Sequence, residues 1–178
     1  MRRLHRVLLV LSTALLAGCA TRPGGAAPVV ATVIVVRHAE KVDNSRDAEL
    51  SAAGRTRAQA LAARLDGVPL AAIYATAFQR TGQTVGPTAV AQRVAITPYG
   101  ASQPAGEVAA LLRADHPRGT VLVAGHSNTV PALVAALCAC TAAPMADTEY
   151  DRLSIITFDA NGRAQLDVQR YGAPSATP

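Results

Sequence analysis

The sequence predicts an α/β domain on a largely parallel sheet, and three observations carry that expectation. Short β-branched apolar runs alternate with alanine-rich helical stretches, two of those runs end in histidine, and an Asn-Gly pair joins the last two runs. Half of the 178 residues are apolar and 16% are charged, which suits one core and one domain.

Each element has its own signal. Residues 32–36 form a continuous apolar run, as expected of a strand buried on both faces. Residues 51–65 read as a helix with Ser51 as N-cap, Leu61 and Leu65 turned inward and Gly67 stopping it. A short strand over 71–75 leads to a helix over about 77–91, weakened or broken by Gly82, Gly86 and Pro87, and then to a strand over 94–97. Residues 104–114 read as a helix with Pro104 near its first turn and Val108, Leu111 and Leu112 facing inward. The third buried strand covers 120–124, and a helix over 129–139 follows with Pro131 in its opening turn. Strands over 153–158 and 164–169 close a hairpin through Asp159-Ala160-Asn161-Gly162.

The first nineteen residues have the pattern of a targeting segment. Arg2, Arg3 and Arg6 precede an apolar stretch over 7–16, and Leu16-Ala17-Gly18-Cys19 follows. About ten apolar residues span roughly 15 Å as a helix, against roughly 30 Å for a bilayer core, so a permanent membrane span is disfavoured. The ending resembles the lipobox of bacterial lipoproteins, which implies lipidation of Cys19 and a membrane anchor; Ala20 in place of aspartate implies the outer membrane, facing the periplasm. Residues 20–31 read as a Gly/Pro/Ala tether, 32–172 as the domain and 173–178 as a disordered tail.

From Cys19 onward, 14 basic residues face 12 acidic ones, a net charge of +2. The arginines are scattered and aromatics make up 3% of the chain, so neither the basic stripe nor the stacking platform of a nucleic-acid binder is present. Cys138 and Cys140 stand in a compartment where disulfides persist, yet a Cys-x-Cys ring is tight, and two free thiols are the favoured reading. Two cysteines alone do not make a zinc site.

The chemistry is expected at strand ends. Val33-Ile34-Val35-Val36 runs into Arg37-His38, and Val121-Leu122-Val123-Ala124 runs into Gly125-His126. In parallel sheets ligands bind beyond the carboxyl ends of strands, so both histidines belong on one rim. The strand between them leaves through Thr76 into a helix whose first turn carries Arg80. Two arginines and two histidines with no carboxylate among them call for an anion, and the guanidinium fork matches phosphate oxygens in pairs. Gly125 is expected to let backbone approach the ligand. A neutral imidazole is a competent nucleophile toward phosphorus, and neighbouring arginine charge keeps His38 unprotonated. A proton donor for the leaving group is also needed; Glu107 is the first candidate, with Glu149 and Asp151 in reserve.

Arg37-His38-Ala39-Glu40-Lys41, Tyr74-Ala75-Thr76 through Arg80-Thr81, and Gly125-His126-Ser127-Asn128-Thr129 together resemble the histidine phosphatase superfamily, with its phosphoglycerate mutase-like fold. Leu50-Ser51 to Gly54 and Gln59-Ala60 fit the same likeness, which spans about residues 32–158. The resemblance implies a three-layer α/β/α sandwich, His38 as the phosphorylated nucleophile, and Arg37, Arg80 and His126 as phosphate ligands. It also implies catalysis without a metal or other cofactor. Two departures stand out: Ala39 where glycine is common, and Ser127 where the acid-phosphatase branch places an aspartate donor. The resulting expectation is a phosphomonoester hydrolase acting on a small-molecule phosphate ester. The alternatives are a non-catalytic phosphoester-binding lipoprotein of the envelope and phosphoryl transfer of the mutase type.

Overall fold

A computed structural model describes residues 27–175. The leader and Cys19 lie outside the described residues. Six strands and four helices alternate as β1 (Val29–Arg37), α1 (Ala52–Arg64), β2 (Leu70–Thr76), α2 (Gln79–Gln92), β3 (Ile96–Tyr99), α3 (Ala105–Asp115), β4 (Gly119–Gly125), α4 (Val130–Cys138), β5 (Arg152–Asp159) and β6 (Ala164–Arg170). They form one sheet in the order β3-β2-β4-β1-β5-β6, with β1 to β4 parallel and β5 and β6 antiparallel.

The strand period of two explains the three layers. Val33, Val35, Val121 and Val123 face one way, onto Val108 and Leu112 of α3 and Leu133, Val134 and Leu137 of α4. Ile34, Val36, Leu122 and Ala124 face the other way, onto Leu61 of α1 and its C-cap Leu65, and onto Val85 of α2. Residues that alternate in sequence thus feed two cores, which is why the central strands read as unbroken apolar runs.

Several local expectations hold in detail. The Ser51 hydroxyl accepts from Gly54 N at 3.1 Å as the α1 cap, Gly67 takes the left-handed conformation beyond the helix, and Pro131 sits in the opening turn of α4. Asp159 accepts from Asn161 N and Arg163 N in the turn between β5 and β6.

Other expectations are corrected. Val29, Val30 and Ala31 belong to β1 rather than to a tether, because Ala31 pairs with Gly119 on one side and Phe158 on the other. Helix α2 runs through Gly82, Gly86 and Pro87 without a break, since burial of Thr81, Thr84, Val85 and Thr88 outweighs propensity. β3 begins at Ile96, two residues late, because Val94 N is spent on Ala89 O at the end of α2. Leu111 is exposed on α3.

Residues 173–175 are not a loose tail. Ala173 O accepts from Arg57, and the Ser175 hydroxyl donates to Asp151 at 2.8 Å. Cys138 and Cys140 are joined in a disulfide rather than free, with Cα atoms 5.1 Å apart. The reason lies between them: Ala139 takes a left-handed φ of 50° at the C-cap of α4 and turns the chain back on itself.

Candidate active site

The carboxyl ends of three adjacent strands, β2, β4 and β1, build the site. His38 N donates to Gly125 O at 2.9 Å, so the two histidine-bearing strand ends are tied together by backbone. Ala39 N then donates to Thr84 Oγ1 of α2 at 2.9 Å, and Ser51 N donates to Glu40 O at 2.9 Å. The chain on either side of His38 is thereby fixed.

The histidine rings lie 5.3 Å apart between centroids, edge to face. His38 Nδ1 stands 2.8 Å from Ala39 O. A carbonyl only accepts, so Nδ1 carries the proton and Nε2 keeps its lone pair. Burial, with the charges of Arg37, His126 and Arg80, brings the pKa of His38 down to about 3.

A threonine relay sets the other tautomer. Thr81 Oγ1 donates its single proton to backbone carbonyls of Thr76 and Phe78, so at its 3.0 Å contact with Thr76 Oγ1 the Thr76 hydroxyl is the donor. His126 Nε2, 2.9 Å from Thr76 Oγ1, must then donate to it, which leaves Nδ1 as the second nitrogen of His126. Burial, then the charges of Arg80 and Arg37, lowers the pKa of His126 to about 4.

Both arginines are held at one end and open at the other. Arg37 Nη1 donates to the carbonyls of Ala146, Asp147 and Glu149 at 2.9–3.0 Å, and its guanidinium lies 4.1 Å over the Tyr150 ring. Arg80 Nη1 donates to Arg46 O at 2.9 Å, and its guanidinium lies 4.3 Å over Phe78. Four buried side-chain polar atoms lack a partner among the described residues, and two of them are the Nε atoms of Arg37 and Arg80. An unmade buried hydrogen bond costs about 1–3 kcal/mol, and two guanidinium groups in one cavity wall suit an acceptor-rich guest. Both arginines and both histidines line one open cavity of about 460 Å³. Among the described residues no three His, Cys, Asp or Glu come together as metal ligands.

The expected proton donors are elsewhere. Glu107 is exposed in the first turn of α3 and does not line the cavity; the helix start that makes a carboxylate favourable there accounts for it. Glu149 is paired with Arg152 at 2.6 Å and Arg170 at 2.7 Å. Burial works against its charge, yet these contacts hold its carboxyl below the usual range. Asp151 is likewise depressed despite burial, by Ser175 and Arg170. Among the described residues that line the cavity, Asp147 is the one carboxylate; its Oδ1 accepts from Ser127 Oγ at 2.9 Å and lies 4.0 Å from Arg37 Nη2. Neither Asp147 nor Tyr150 had a signal in the sequence, because both sit in an irregular loop held by residues remote in sequence, among them Arg37 and Ser175. Ser127 stood inside the His126 motif and was legible as a departure. Gly125 has a packing role: a Cβ there would stand 3.0 Å from Tyr99 Oη and 3.2 Å from Thr129 Oγ1 and Val130 Cγ2.

Fold and site define an α/β protein in which two strand-end histidines and two arginines line one cavity, a lining suited to an anion. The family model described as histidine phosphatase superfamily (branch 1) matches residues 33–100, which include Arg37, His38 and Arg80. Similar solved structures include the protein histidine phosphatase SixA complexed with tungstate, at 24% identity and a TM-score of 0.66 over 79% of this chain and 96% of that one. YhfR of Bacillus stearothermophilus is 19% identical, with a TM-score of 0.65 over 78% of this chain and 96% of that one. A mycobacterial glucosyl-3-phosphoglycerate phosphatase is 19% identical, with a TM-score of 0.60 over 82% of this chain and all of that one. No curated protein sequence matches significantly. The segment over residues 33–100 is thus similar to the histidine phosphatase superfamily, and the domain as a whole shares the fold of these solved structures.

Proposed function

We propose that this protein is a phosphomonoester hydrolase that works through a covalent phosphohistidine at His38, without a metal. The observation that carries the reading is the His38 Nε2 lone pair, set in one cavity with two guanidinium groups whose buried Nε donors are unpartnered. The tungstate in the SixA structure is a tetrahedral oxyanion like phosphate, which supports the same reading of the cavity.

In the proposed reaction, Arg37 and Arg80 hold the phosphoryl oxygens and spread the charge that develops on them. A bound dianion also favours protonation of His126, whose Nδ1–H then donates to the phosphate. His38 Nε2 attacks phosphorus, the P–O bond to the leaving group breaks, and Asp147 in its acid form gives its proton to the departing oxygen. Water then attacks phosphorus and passes a proton to the Asp147 carboxylate, while the P–N bond breaks and its electron pair returns to Nε2. Asp147 replaces Glu107 in this role because it is the carboxylate at the cavity.

Export and lipidation at Cys19 belong to the same proposal. They rest on the leader pattern and on the Cys138–Cys140 disulfide, which suits an oxidising compartment. The small-molecule ester would then be met in the envelope.

The test is hydrolysis of p-nitrophenyl phosphate by the full chain in EDTA, followed by acid-free trapping of labelled enzyme. Turnover with an alkali-stable, acid-labile phosphoenzyme, both lost in His38→Ala, is expected. Tight phosphate binding without turnover would assign the protein to the binding lipoproteins instead, and EDTA-sensitive activity would assign it to the metallohydrolases.

A further inference from the structure

A second concavity of about 270 Å³ lies against the phosphate cavity, and Ala101, Asn128 and Thr129 line both. Its walls come from the loop after β3, the start of α3 and the first turns of α4. Buried Val108 and Leu133 contribute apolar surface, and Ala105 and Ala132 leave room above them. Tyr99 adds its ring, with its hydroxyl already donating to Ala124 O at 3.2 Å. The polar groups are neutral: Ser102, Asn128 and Gln103, whose Oε1 accepts from Gly100 N at 3.2 Å. Among the described residues, no Asp, Glu, Lys, Arg or His lines this annex.

We propose that the annex is the leaving-group subsite and that it selects an uncharged, ring-sized group with one apolar face. The inference rests on the phosphatase reading of the neighbouring cavity and extends it to substrate class. A phosphoryl group gripped by Arg37 and Arg80 must send its ester substituent out of the cavity, and the annex shares a wall with it. A ring laid there removes its apolar face from water against Val108 and Leu133, while Asn128 and Ser102 can meet a hydroxyl or carbonyl at its edge. A carboxylate or second phosphate in the same place would lose hydration without gaining a cation, so anionic leaving groups are rejected. The volume suits one ring with its substituents.

Ala132 is exposed on α4 and lines the annex, so it accepts large side chains without disturbing the core. The test measures affinity of the full chain for three non-hydrolysable probes by calorimetry: methylphosphonate, benzylphosphonate and 4-carboxybenzylphosphonate. Benzylphosphonate is expected to bind at least tenfold more tightly than either of the others. Ala132→Trp should erase that advantage with methylphosphonate unchanged within twofold, and Ala132→Arg should turn the preference toward the carboxybenzyl probe. Equal binding of all three, or an advantage that survives Ala132→Trp, overturns the subsite while leaving the phosphate site intact. Loss of methylphosphonate binding in the wild type would instead overturn the phosphate site itself, and with it this inference. Probe binding in the expected order without turnover of any ester would uphold the annex and remove the hydrolase reading.

Discussion

His38 and His126 are neutral because they are buried among cations, and that state has a cost that depends on pH. Their folded pKa values, about 3 and about 4, lie below the ordinary histidine value near 6.5. The unfolded chain therefore binds more protons than the folded one as pH falls below about 6.5. The associated stability is fully present above that pH and is lost on the way down toward 4 and then 3. Urea unfolding at pH 7.5 and pH 5 should show a loss of about 1–2 kcal/mol for each histidine. His38→Ala should remove its share of that slope; an unchanged slope would mean that the imidazole is not buried neutral. Asp147 yields a different signature. Asp147→Asn should slow hydrolysis of alkyl phosphates by about a hundredfold, because a poor leaving group needs the proton. p-Nitrophenyl phosphate, whose leaving group departs unprotonated, should suffer much less in its first step, and trapped phosphoenzyme should accumulate. Equal slowing of phosphoenzyme formation from both substrates would point to a structural role for this carboxylate.

Helix α1 sits so close to the loop after His38 that one methyl group decides its sign. A Cβ on Gly54 would collide with the carbonyl oxygen of Glu40. Helix propensity alone favours alanine over glycine by about 1 kcal/mol. Backbone is on the receiving end of the clash and Ser51 N already holds that same carbonyl, so the steric term wins. Gly54→Ala should destabilise by about 1–3 kcal/mol in chemical denaturation and should lower turnover by shifting the loop that carries His38. A stabilised variant would show that the contact relaxes freely. Gly54 belongs to a motif visible in the sequence, but the need for glycine there could not be derived without knowing what the helix packs against. α2 teaches the converse. Its two glycines and its proline argue for a break by propensity, and burial of Thr81, Thr84 and Val85 overrides them.

Across the whole molecule, Arg57 links parts of the chain that are remote in sequence. Its Nε and Nη2 donate to the Glu40 carboxylate at 2.7–3.0 Å, and its Nη1 donates to the carbonyls of Tyr171 and Ala173. The loop after His38, α1 and the segment after β6 are thereby held by one buried cation. Arg57→Met would leave a partly buried carboxylate and two carbonyls without their donor, and an equilibrium unfolding loss of about 2–4 kcal/mol is expected. Adding Glu40→Leu should recover part of it, since removing both charges is less costly than stranding one. Full additivity of the two losses would show that the pair is not coupled.

The sequence by itself determined the alternation of strands and helices, the burial of the central strands on both faces, the final hairpin, and the assignment of Arg37, His38, Arg80 and His126 to one rim. These follow from local periodicity, turn chemistry and the rule that parallel strands end on one side, all of which are written in neighbouring residues. Only the tertiary structure decided the rest. It closed the Cys138–Cys140 bridge through a left-handed Ala139, ordered the chain as far as Ser175, and put Asp147 rather than Glu107 at the cavity. It also fixed the tautomers of both histidines through Ala39 O and the Thr76–Thr81 relay. Each of these depends on which irregular segments meet across the sheet. Irregular backbone carries no period, so its position is set by the partners that satisfy its hydrogen bonds, and those partners are distant in sequence.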